Sequence, residues 1–586
     1  MLEGDLLKRV LYIDLTKKNF HVKERKDLFE KWLGGVGVGI QLLFEECPPE
    51  VDPFSPENPI IFTVGPLNGL FPVVSKTIAT FKSPHTGNLG ESHAGGRSAI
   101  AIRMAGYGGI VIKGKSEKPV YIVIDGDMVY FRDASALWGM STFATGRIIR
   151  ENERGAGLRT IMRIGRAGEK LITYSSVTTE TYRHFGRLGL GAVFGSKNLK
   201  AVVVLGKRHL PVSSGREYRI LYDRIFKMVV ESPAMRKYHE LGTPENVSPL
   251  NKIGALPVQN LKKSRSEEAE SISGERILRD YLGRRIACSH CPVGCIHIAA
   301  LREPYKDEPY FYKTSMISYD YEPIYALGTM LGIFEPEGFL KLLDEVERIG
   351  VDAMSTGVIL AWATEAFEKR LISKEDTMGL ELRWGDHETY ILAVRNILKG
   401  ENHFYRALGR GVEYASNIYG GKEFALTMGG NEMPGYHTGP GCHIGALVGS
   451  RHGHLDNAGY SIDQDMLKKN QKLSPEEMGE AILKEEGWRQ ILSSLVLCFF
   501  GRGIYTPEIT SEALKIAGFD ISPDELQKLG ESIHREKYRF KFREGFSFEN
   551  LRIPERIFQT RSALGEISSE YIRRTIDYIK KKLTIS

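Results

Sequence analysis

The chain has 586 residues, of which 42% are hydrophobic and 26% charged, and its formal net charge is +6. This composition is ordinary for a folded globular protein, and the length suggests two to four domains of roughly 100–200 residues. The small net charge, without a Lys/Arg-rich block that also contains aromatic residues, argues against nucleic-acid binding. The N-terminus lacks a signal-peptide core, and the most apolar run, at 491–500, is half the roughly 20 residues needed to cross a bilayer. We therefore expect a soluble, cytoplasmic protein.

The predicted elements change in type along the chain. Runs such as VLYIDL, PIIFTV and GIVIKG in the first two hundred residues are apolar or alternating and end at turn residues, which is typical of strands. After GKRHLPVSSG, apolar residues recur at helical spacing, as in GFLKLLDEVERIG. A glycine-rich stretch at 428–445 begins a third region. The pattern predicts an α+β protein with a β-rich domain at 1–207 and mainly helical domains at 208–427 and 428–586.

Two glycine-rich runs lie within the β-rich region. In the first, at 82–116, Gly95 and Gly96 would let backbone amides approach an anion or a flat heterocycle. The second, FGRLGLGAVFGSKNLKAVVV at 185–204, is similar to a dinucleotide fingerprint, but its glycines lack the G-x-G-x-x-G spacing. Tight turns between strands are the simpler interpretation of the second run.

Three of the six cysteines are clustered in ACSHCPVGC, at Cys288, Cys291 and Cys295. Cytosolic thiols stay reduced, so such a cluster indicates metal binding or catalysis rather than disulfides. One interpretation is a structural zinc ion assisted by His290 or His297. The other is an iron–sulfur cluster, which requires a fourth thiolate. The spacing does not choose among Cys47, Cys442 and Cys498 for that fourth ligand.

Two later stretches contain titratable residues, either as a candidate acid–base group or as histidines that are metal ligands or hydrogen-bonded structural residues. In YDYEPIYALG, Glu322 is surrounded by aromatic residues, and apolar surroundings would raise its pKa and suit it to acid–base chemistry. GSRHGHLDNAGYSID collects Arg451, His452, His454 and Asp456. Histidines two positions apart do not share a helix face, which excludes a zinc-protease helix.

Taken in order, these stretches make the chain similar, nearly end to end, to the tungsten-containing aldehyde ferredoxin oxidoreductase family. The motifs that carry the resemblance are KSPHTG (82–87), AGGR (94–97), AGYGGIVIKGKSEKPVYI (105–122), GRLGLGAVFGSKNLKAV (186–202), CSHCPVGC (288–295), GVDAMSTG (350–357), EMPGY (432–436) and the Leu497–Cys498 pair. The resemblance implies a β-rich base domain and two mainly helical domains, with a tungsten bis-pterin cofactor buried at their junction and a [4Fe–4S] cluster nearby.

The resemblance also assigns roles to individual residues. Cys288, Cys291, Cys295 and Cys498 would ligate the cluster, and Cys47 and Cys442 match no family ligand. A Mg²⁺ ion bridging the pterin phosphates would lie near His93, Gly95 and the Phe185 carbonyl. Lys76 stands where the family usually has an arginine between cluster and pterin, and keeps the charge without the planar fork. The full set of implied cofactor-binding positions is Lys76, His93, Gly95, Gly96, Phe185, Gly186, Arg187, Glu347, Gly350, Val351, Asp352, Arg451, Asp456, Ser493 and Leu497.

Two loops of the family pattern Asp-x-x-Gly-Leu-(Asp or Cys) would bind the pterins. The first reads Glu347-Arg-Ile-Gly350-Val351-Asp352, a mild change. The second reads Ser493-Ser-Leu-Val496-Leu497-Cys498 and loses both the aspartate and the glycine. We still expect pterin binding, because the other motifs are retained. KLLD at 341–344 lacks the Glu-x-x-His pair of iron-bridged family homodimers, so a small iron–sulfur subunit is the alternative partner.

The activity implied by the resemblance is oxidation of an aldehyde to a carboxylic acid, with electrons passed through the cluster to ferredoxin. Glu322 would accept a proton, and His454 would hydrogen-bond the substrate oxygen. One alternative is a tungsten enzyme of the same fold that reduces a carboxylate or an aromatic thioester. A second alternative, of another class, is a zinc-stabilised scaffold without redox activity.

Overall fold

The computed structural model describes residues 1–155, 159–180 and 182–584. The chain divides into two compact units. The first unit contains Met1–Arg236, Ala287–Val293 and Lys484–Ser547, and the second contains Lys237–Ile286, Gly294–Leu483 and the segment from Phe548 onward. The division into three domains at residues 207 and 427 stays a prediction.

The strands of the first unit form two mixed sheets. They are β1 Arg9–Asp14, β2 Asn19–Glu24, β3 Ile60–Thr63, β4 Thr77–Lys82, β5 Leu89–Ala94, β6 Gly109–Lys113, β7 Val120–Asp125, β8 Met128–Asp133, β9 Arg159–Arg163, β10 Val177–Thr178, β11 His184–Phe185 and β12 Leu199–Leu205. Within the described residues the sheet orders are β2-β1-β6-β3-β4-β5 and β11-β10-β9-β12-β7-β8. The β1–β6 and β7–β12 pairs are parallel, and the remaining pairs are antiparallel.

The helices are distributed over the whole chain. They are α1 Lys26–Trp32, α2 Gly35–Glu46, α3 Ser98–Ala105, α4 Thr142–Asn152, α5 Arg166–Glu169, α6 Leu190–Ser196, α7 Gly215–Glu231, α8 Pro233–Glu240, α9 Val247–Lys252, α10 Gly274–Tyr281, α11 Tyr321–Leu327, α12 Pro336–Ile349, α13 Ala353–Glu368, α14 His387–Lys399, α15 His403–Leu408, α16 Val412–Tyr419, α17 Pro440–Val448, α18 Gly459–Lys469, α19 Pro475–Ser494, α20 Pro507–Ile516, α21 Pro523–Arg543, α22 Arg556–Gln559 and α23 Ser569–Thr584.

The core of the second sheet follows the two-residue period of its strands. Tyr121 and Val123 of β7 and Val203 of β12 are buried with Ile161 of β9, and Ile149 of α4 packs into the same cluster. Alternate residues of a strand point to one face, so this set covers one side of the sheet. Each fully buried aliphatic side chain contributes roughly 1.5–3 kcal/mol to folding. The cluster therefore holds α4 on the sheet.

The glycine-rich run at 185–204 forms β11, α6 and β12. A Cβ atom on Gly195 would lie 1.9 Å from the Gly168 carbonyl oxygen of α5, so glycine is required for α5 and α6 to approach this closely. This packing role agrees with the simpler interpretation of the run, in which its glycines serve the fold.

The second unit contains a three-stranded antiparallel sheet that we did not predict from the sequence. Its strands are β13 Leu282–Ile286, β14 Ile296–Pro304 and β15 Tyr312–Tyr319, in the order β13-β14-β15. A short pair, β16 Thr427–Met428 and β17 Asn431–Glu432, lies further along. Residues 287–295, which include the three clustered cysteines, connect β13 to β14.

Helices come before and after this sheet in the sequence and form most of the remaining secondary structure of the second unit. The helices α12 and α13 are separated by three residues around Gly350. Residues 355–366 of α13 are all buried, which is typical of a helix inside a core rather than on its surface. The α+β class is confirmed, with the sheets concentrated in the N-terminal region. Among the described residues, no helix is both long and apolar enough to cross a membrane.

Candidate active site

A single residue of the first unit, Val73, connects the two cysteine-bearing segments. Its N–H donates to the His290 carbonyl at 3.0 Å, and its own carbonyl accepts from the Cys498 N–H at 3.0 Å. His290 lies between Cys288 and Cys291, and the Cys291 N–H donates to the Cys288 carbonyl at 3.2 Å. The structure therefore brings the backbone of Cys498 to the segment that holds two of the clustered cysteines. Cys295 follows in the second unit.

The Gly95–Gly96 pair contacts residues 287–295, the cysteine segment. The Gly96 N–H donates to the Cys288 sulfur at 3.1 Å, and the Ser289 N–H donates to the Gly96 carbonyl at 2.9 Å. A Cβ atom on Gly95 would lie 2.8 Å from the Cys288 sulfur and 3.4 Å from the Lys76 ammonium nitrogen. Backbone N–H groups directed at sulfur stabilise thiolates and tune iron–sulfur clusters. Glycine at 95 is thus required by a close approach to a thiol.

The donor set of the cysteine segment consists of free thiols, which is the ligand chemistry of an iron–sulfur cluster. Across residues 1–155, 159–180 and 182–584, no group of three His, Cys, Asp or Glu side chains is placed to hold one metal ion. The His297 Nε2 accepts a hydrogen bond from Arg285 Nε at 3.1 Å. His297 is therefore occupied by a partner other than a metal.

In the second unit, Glu322 and His454, the two catalytic residues implied by the resemblance, lie close together. Glu322 lies in the first turn of α11, and its Oε1 is 3.3 Å from His454 Nε2 and 3.4 Å from the Tyr436 hydroxyl, which donates to it. The Tyr436 ring stacks on Tyr460 with 4.4 Å between centroids. The Tyr321 hydroxyl donates to the Gly435 carbonyl, which anchors the EMPGY segment beside α11.

The pKa of Glu322 is shifted in the direction opposite to the one expected. Burial on its own would raise the pKa of the Glu322 carboxyl, but the hydrogen bond from His454 and its charge outweigh burial and lower the pKa below the ordinary value. The expectation of a raised pKa was wrong because the sequence did not show that His454 is a neighbour. Burial first, and then the Glu322 charge, raise the pKa of Tyr436 well above its ordinary value, so Tyr436 remains a donor.

The first predicted pterin loop follows α12. Glu347 lies in the last turn of that helix, and Gly350 ends it in the left-handed conformation with φ +83°. Asp352 caps α13 by accepting from the Met354 and Ser355 N–H groups at 3.1 and 3.2 Å. The Ser355 hydroxyl lies 2.7 Å from Asp352 Oδ2 and 2.6 Å from Oε2 of the buried Glu432. Carboxylate oxygens are acceptors, which is the chemistry that pterin N–H groups require.

The second predicted loop follows α19, and one position of its backbone resembles the first loop despite the changed sequence. Val496, at the family glycine position, has φ +57°, in the left-handed region that Gly350 also occupies. A β-branched residue there costs on the order of 1–3 kcal/mol. The Val496 carbonyl accepts from the Lys76 N–H at 2.9 Å, and the Leu497 N–H donates to the Leu492 carbonyl at 2.9 Å. Val496 therefore adopts, without being glycine, the left-handed φ that Gly350 has in the first loop.

A glycine-rich segment that the sequence analysis missed supports this second loop. GGVGVG at 34–39 opens α2, and a Cβ on Gly35 would lie 2.1 Å from the carbonyl oxygen of the buried Ser493. The Gly37 N–H donates to the Ser494 hydroxyl at 3.2 Å. The density of glycines was the available signal, since alternating glycines at a helix start indicate a close backbone approach.

The remaining predicted residues fall into local groups. His93 Nε2 is 2.7 Å from Glu91 Oε1, and Glu91 Oε2 is 2.5 Å from Lys537 Nζ. Phe185 is buried in β11, with Gly186 and Arg187 directly after it.

In the second unit, Arg451 forms an ion pair with Asp456, which also accepts from the Gly453 N–H at 3.1 Å and so closes the loop around His454. His452 contacts the Ala446 carbonyl at 3.2 Å through Nδ1. His452, the first histidine of this stretch, therefore has a structural role.

Comparison with known proteins gives one consistent family. The N-terminal domain model of aldehyde ferredoxin oxidoreductase matches residues 10–206, and the model of its domains 2 and 3 matches residues 221–582. The chain is 32% identical over 549 residues to the tungsten-containing aldehyde ferredoxin oxidoreductase of Pyrococcus furiosus, covering 92% of this chain and 89% of that protein. The Thermococcus kodakarensis protein of the same name is 32% identical over 550 residues, with 92% and 89% covered.

Two further similarities concern proteins with other names. The chain is 29% identical to a Pyrococcus furiosus protein named aliphatic sulfonate oxidoreductase, WOR-like subunit, with 89% of this chain and 84% of that one covered. A solved structure, the active site complex BamBC of benzoyl coenzyme A reductase with 1,5-dienoyl-CoA, aligns with a TM-score of 0.83 and 22% identity over 98% of this chain and 94% of that one. The last similarity is one of fold.

Replacing Gly95 by alanine should disturb the cysteine segment while leaving the fold intact. The added Cβ would lie 2.8 Å from the Cys288 sulfur, so the thiol or the Gly95 backbone must shift. We expect iron content and the visible absorbance of an iron–sulfur cluster to fall severalfold. Gly503→Ala is the matched control, because a Cβ there meets no atom within 4 Å. Equal iron content in both variants would contradict the prediction that iron is bound next to Gly95, at Cys288.

Proposed function

The chain belongs to the aldehyde ferredoxin oxidoreductase family of tungsten oxidoreductases, and from that membership we propose that it oxidises aldehydes to carboxylic acids and passes the electrons to ferredoxin. The observation that carries the proposal is the Glu322 carboxylate hydrogen-bonded by His454 and Tyr436. An ionised carboxylate beside an imidazole is suited to accept a proton from a reacting water. The substrate class rests on the names of the relatives at 32% identity.

Members of the family bind tungsten–pterin and an iron–sulfur cluster. We propose that Cys288, Cys291, Cys295 and Cys498 hold a [4Fe–4S] cluster here. The loops 347–352 and 493–498 would bind two pterins, and His93 and the Phe185 carbonyl would hold a Mg²⁺ ion. When bound, the tungsten centre supplies the two-electron oxidation that no side chain can perform.

The remaining implied positions would complete the cofactor pocket. Lys76, between the cysteine segment and Val496, would supply a positive charge to the pterins. Gly95 and Gly96 would supply close backbone approaches, and the Arg451–Asp456 pair would fix the loop that carries His454.

The overall reaction converts an aldehyde and one water into a carboxylic acid, two protons and two electrons. Glu322 would take one of these protons at its carboxylate as the carbon–oxygen bond forms and the aldehyde carbon–hydrogen bond breaks. The lowered pKa of Glu322 keeps it ionised, and hence able to accept, at neutral pH. His454 would donate to the substrate oxygen, and Tyr436 would hold the Glu322 side chain in one orientation.

A reductive reaction on a carboxylate or an aromatic thioester is the second candidate, supported by the fold of the benzoyl coenzyme A reductase complex. The two directions are separated by assay. Aldehydes with oxidised viologen test the first direction, and carboxylates or aromatic thioesters with reduced viologen test the second.

Replacing Glu322 by glutamine should abolish aldehyde oxidation and leave the tungsten and iron contents unchanged. Glutamine keeps the shape of the side chain but cannot accept the proton, and a lost general base typically costs 10²–10⁴-fold in rate. Turnover with a viologen acceptor and elemental analysis of the same preparation check this. Tyr436→Phe, which keeps the ring and loses only one hydrogen bond to Glu322, should show a much smaller loss. Wild-type turnover in the glutamine variant would remove Glu322 from the mechanism.

Replacing His454 by glutamine should move the acid limb of the pH–rate profile to higher pH. Activity falls as pH falls through the pKa of Glu322, because a protonated carboxyl cannot accept a proton. Burial raises that pKa, and His454 is the largest cause that lowers it. Without the imidazole, only the smaller effects of the backbone and of Tyr436 oppose burial, so the pKa rises. Profiles of kcat/KM against pH, measured with a viologen acceptor, check this shift. An unmoved limb together with a reduced rate would mean that His454 does not set the ionisation of Glu322.

A further inference from the structure

The tip of the β14–β15 hairpin exposes an unusual group of aromatic side chains. Tyr305, Tyr310, Phe311 and Tyr312 are 53%, 92%, 64% and 59% exposed, whereas no other described aromatic residue exceeds the 40% of Tyr130. The tip is ordered by its own backbone, since the Tyr305 N–H donates to the Phe311 carbonyl at 3.0 Å. Exposed aromatic clusters mark protein interaction sites, because aromatic residues are enriched in interface cores.

The hairpin is adjacent in sequence to the clustered cysteines at one end of the segment and to Glu322 at the other. The strand β14 begins at Ile296, directly after Cys295, and β15 ends at Tyr319, three residues before Glu322. Nine antiparallel residues extend about 30 Å, which is about the diameter of a small domain. A small protein that lies along the hairpin would therefore contact both of its ends: the aromatic tip and the opposite end, where β14 follows Cys295.

The hairpin and its neighbouring strand β13 together carry a net positive charge, which favours an acidic partner. Residues 282–316 contain five basic side chains and three acidic ones. The excess comes from Arg284 and Arg285 of β13, whereas Asp307 and Glu308 lie at the tip. Of the acidic residues, Glu303 is already paired with Lys313 at 3.7 Å and Lys341 at 3.9 Å. Arg284 and Arg302 are exposed. Complementary charge speeds the encounter of two proteins and fixes their orientation.

We propose that the β14–β15 hairpin, with the exposed arginines beside it, is the docking arm for an acidic electron-carrier protein that takes electrons from the enzyme. The proposal rests on the proposed function, because it concerns where those electrons leave. The aromatic tip would supply the desolvated contact, and the basic side chains would supply the long-range attraction. A second copy of this basic chain would be repelled by the same charges, which disfavours it as the occupant.

The test compares a protein acceptor with a small one in the same enzyme. The triple variant Tyr310→Ser, Phe311→Ser and Tyr312→Ser is assayed with an aldehyde and either an acidic [4Fe–4S] ferredoxin or methyl viologen. Methyl viologen does not need a docking surface, so its rate should be unchanged. We expect kcat/KM for the ferredoxin to fall about tenfold or more, as is typical when central aromatic contacts are lost. The control variant, Tyr130→Ser with Phe226→Ser, removes exposed aromatic residues of the first unit and should match the wild type.

A charge variant and a direct binding measurement test the docking surface without relying on the triple variant alone or on turnover. Arg302→Gln with Lys306→Gln should slow the ferredoxin reaction and weaken its dependence on salt. Biolayer interferometry with immobilised enzyme and oxidised ferredoxin should show weaker binding by both hairpin variants.

Unchanged ferredoxin kinetics and binding in the triple variant would overturn the proposal, as would an equal loss with both acceptors. A wild-type enzyme that does not bind the ferredoxin would also overturn it. A wild-type enzyme that binds the ferredoxin but oxidises no aldehyde would contradict the proposed function instead. In that case the loss of binding in the triple variant still supports the docking arm.

Discussion

The two hydrogen bonds of Val73 are the constraint on which the candidate cluster site depends. They connect a segment near residue 290 with Cys498, two parts of the chain that are about two hundred residues apart in sequence. Val73 is held at φ +70°, where a β-branched residue is strained by on the order of 1–3 kcal/mol. Such a conformation persists only where the surrounding structure determines it, and strained backbone is concentrated at functional sites. Val496, two residues before Cys498, is held in the same region.

The same region also depends on close contacts between backbone segments at glycine residues. Gly95 and Gly96 bring an N–H group to the Cys288 sulfur, and the glycines of α2 admit the backbone of Ser493. Residues with a Cβ atom would separate these segments by more than the contacts allow. These glycines therefore act at specific contacts between segments, and the cysteine segment and the second predicted pterin loop both depend on them.

Much of the fold could be predicted from local pattern, and much of the site could not. Helical spacing predicted α12, and strand patterns predicted the β-rich N-terminal region, because both depend on short-range periodicity. The β13–β15 sheet was missed because the helical pattern on either side of it dominated the assignment. The left-handed backbone of Val496 runs against residue preference, so only tertiary context determines it. The lowered pKa of Glu322 requires knowing that His454, 132 positions later in the chain, is its neighbour.

The family resemblance named the residues that these patterns could not connect. It gave Glu322 and His454 separate roles in the same active site and assigned Cys498 to the distant cysteine cluster. The roles of these residues in binding tungsten, pterin and iron remain proposals that the geometry supports.

Elemental analysis of anaerobically purified protein tests the central claim most directly. The account predicts about one tungsten and about four iron atoms per chain, because four thiolates are proposed to hold one [4Fe–4S] cluster beside the tungsten centre. Zinc in place of both metals would contradict it, since the clustered cysteines would then hold a structural ion and the family fold would be present without its redox chemistry.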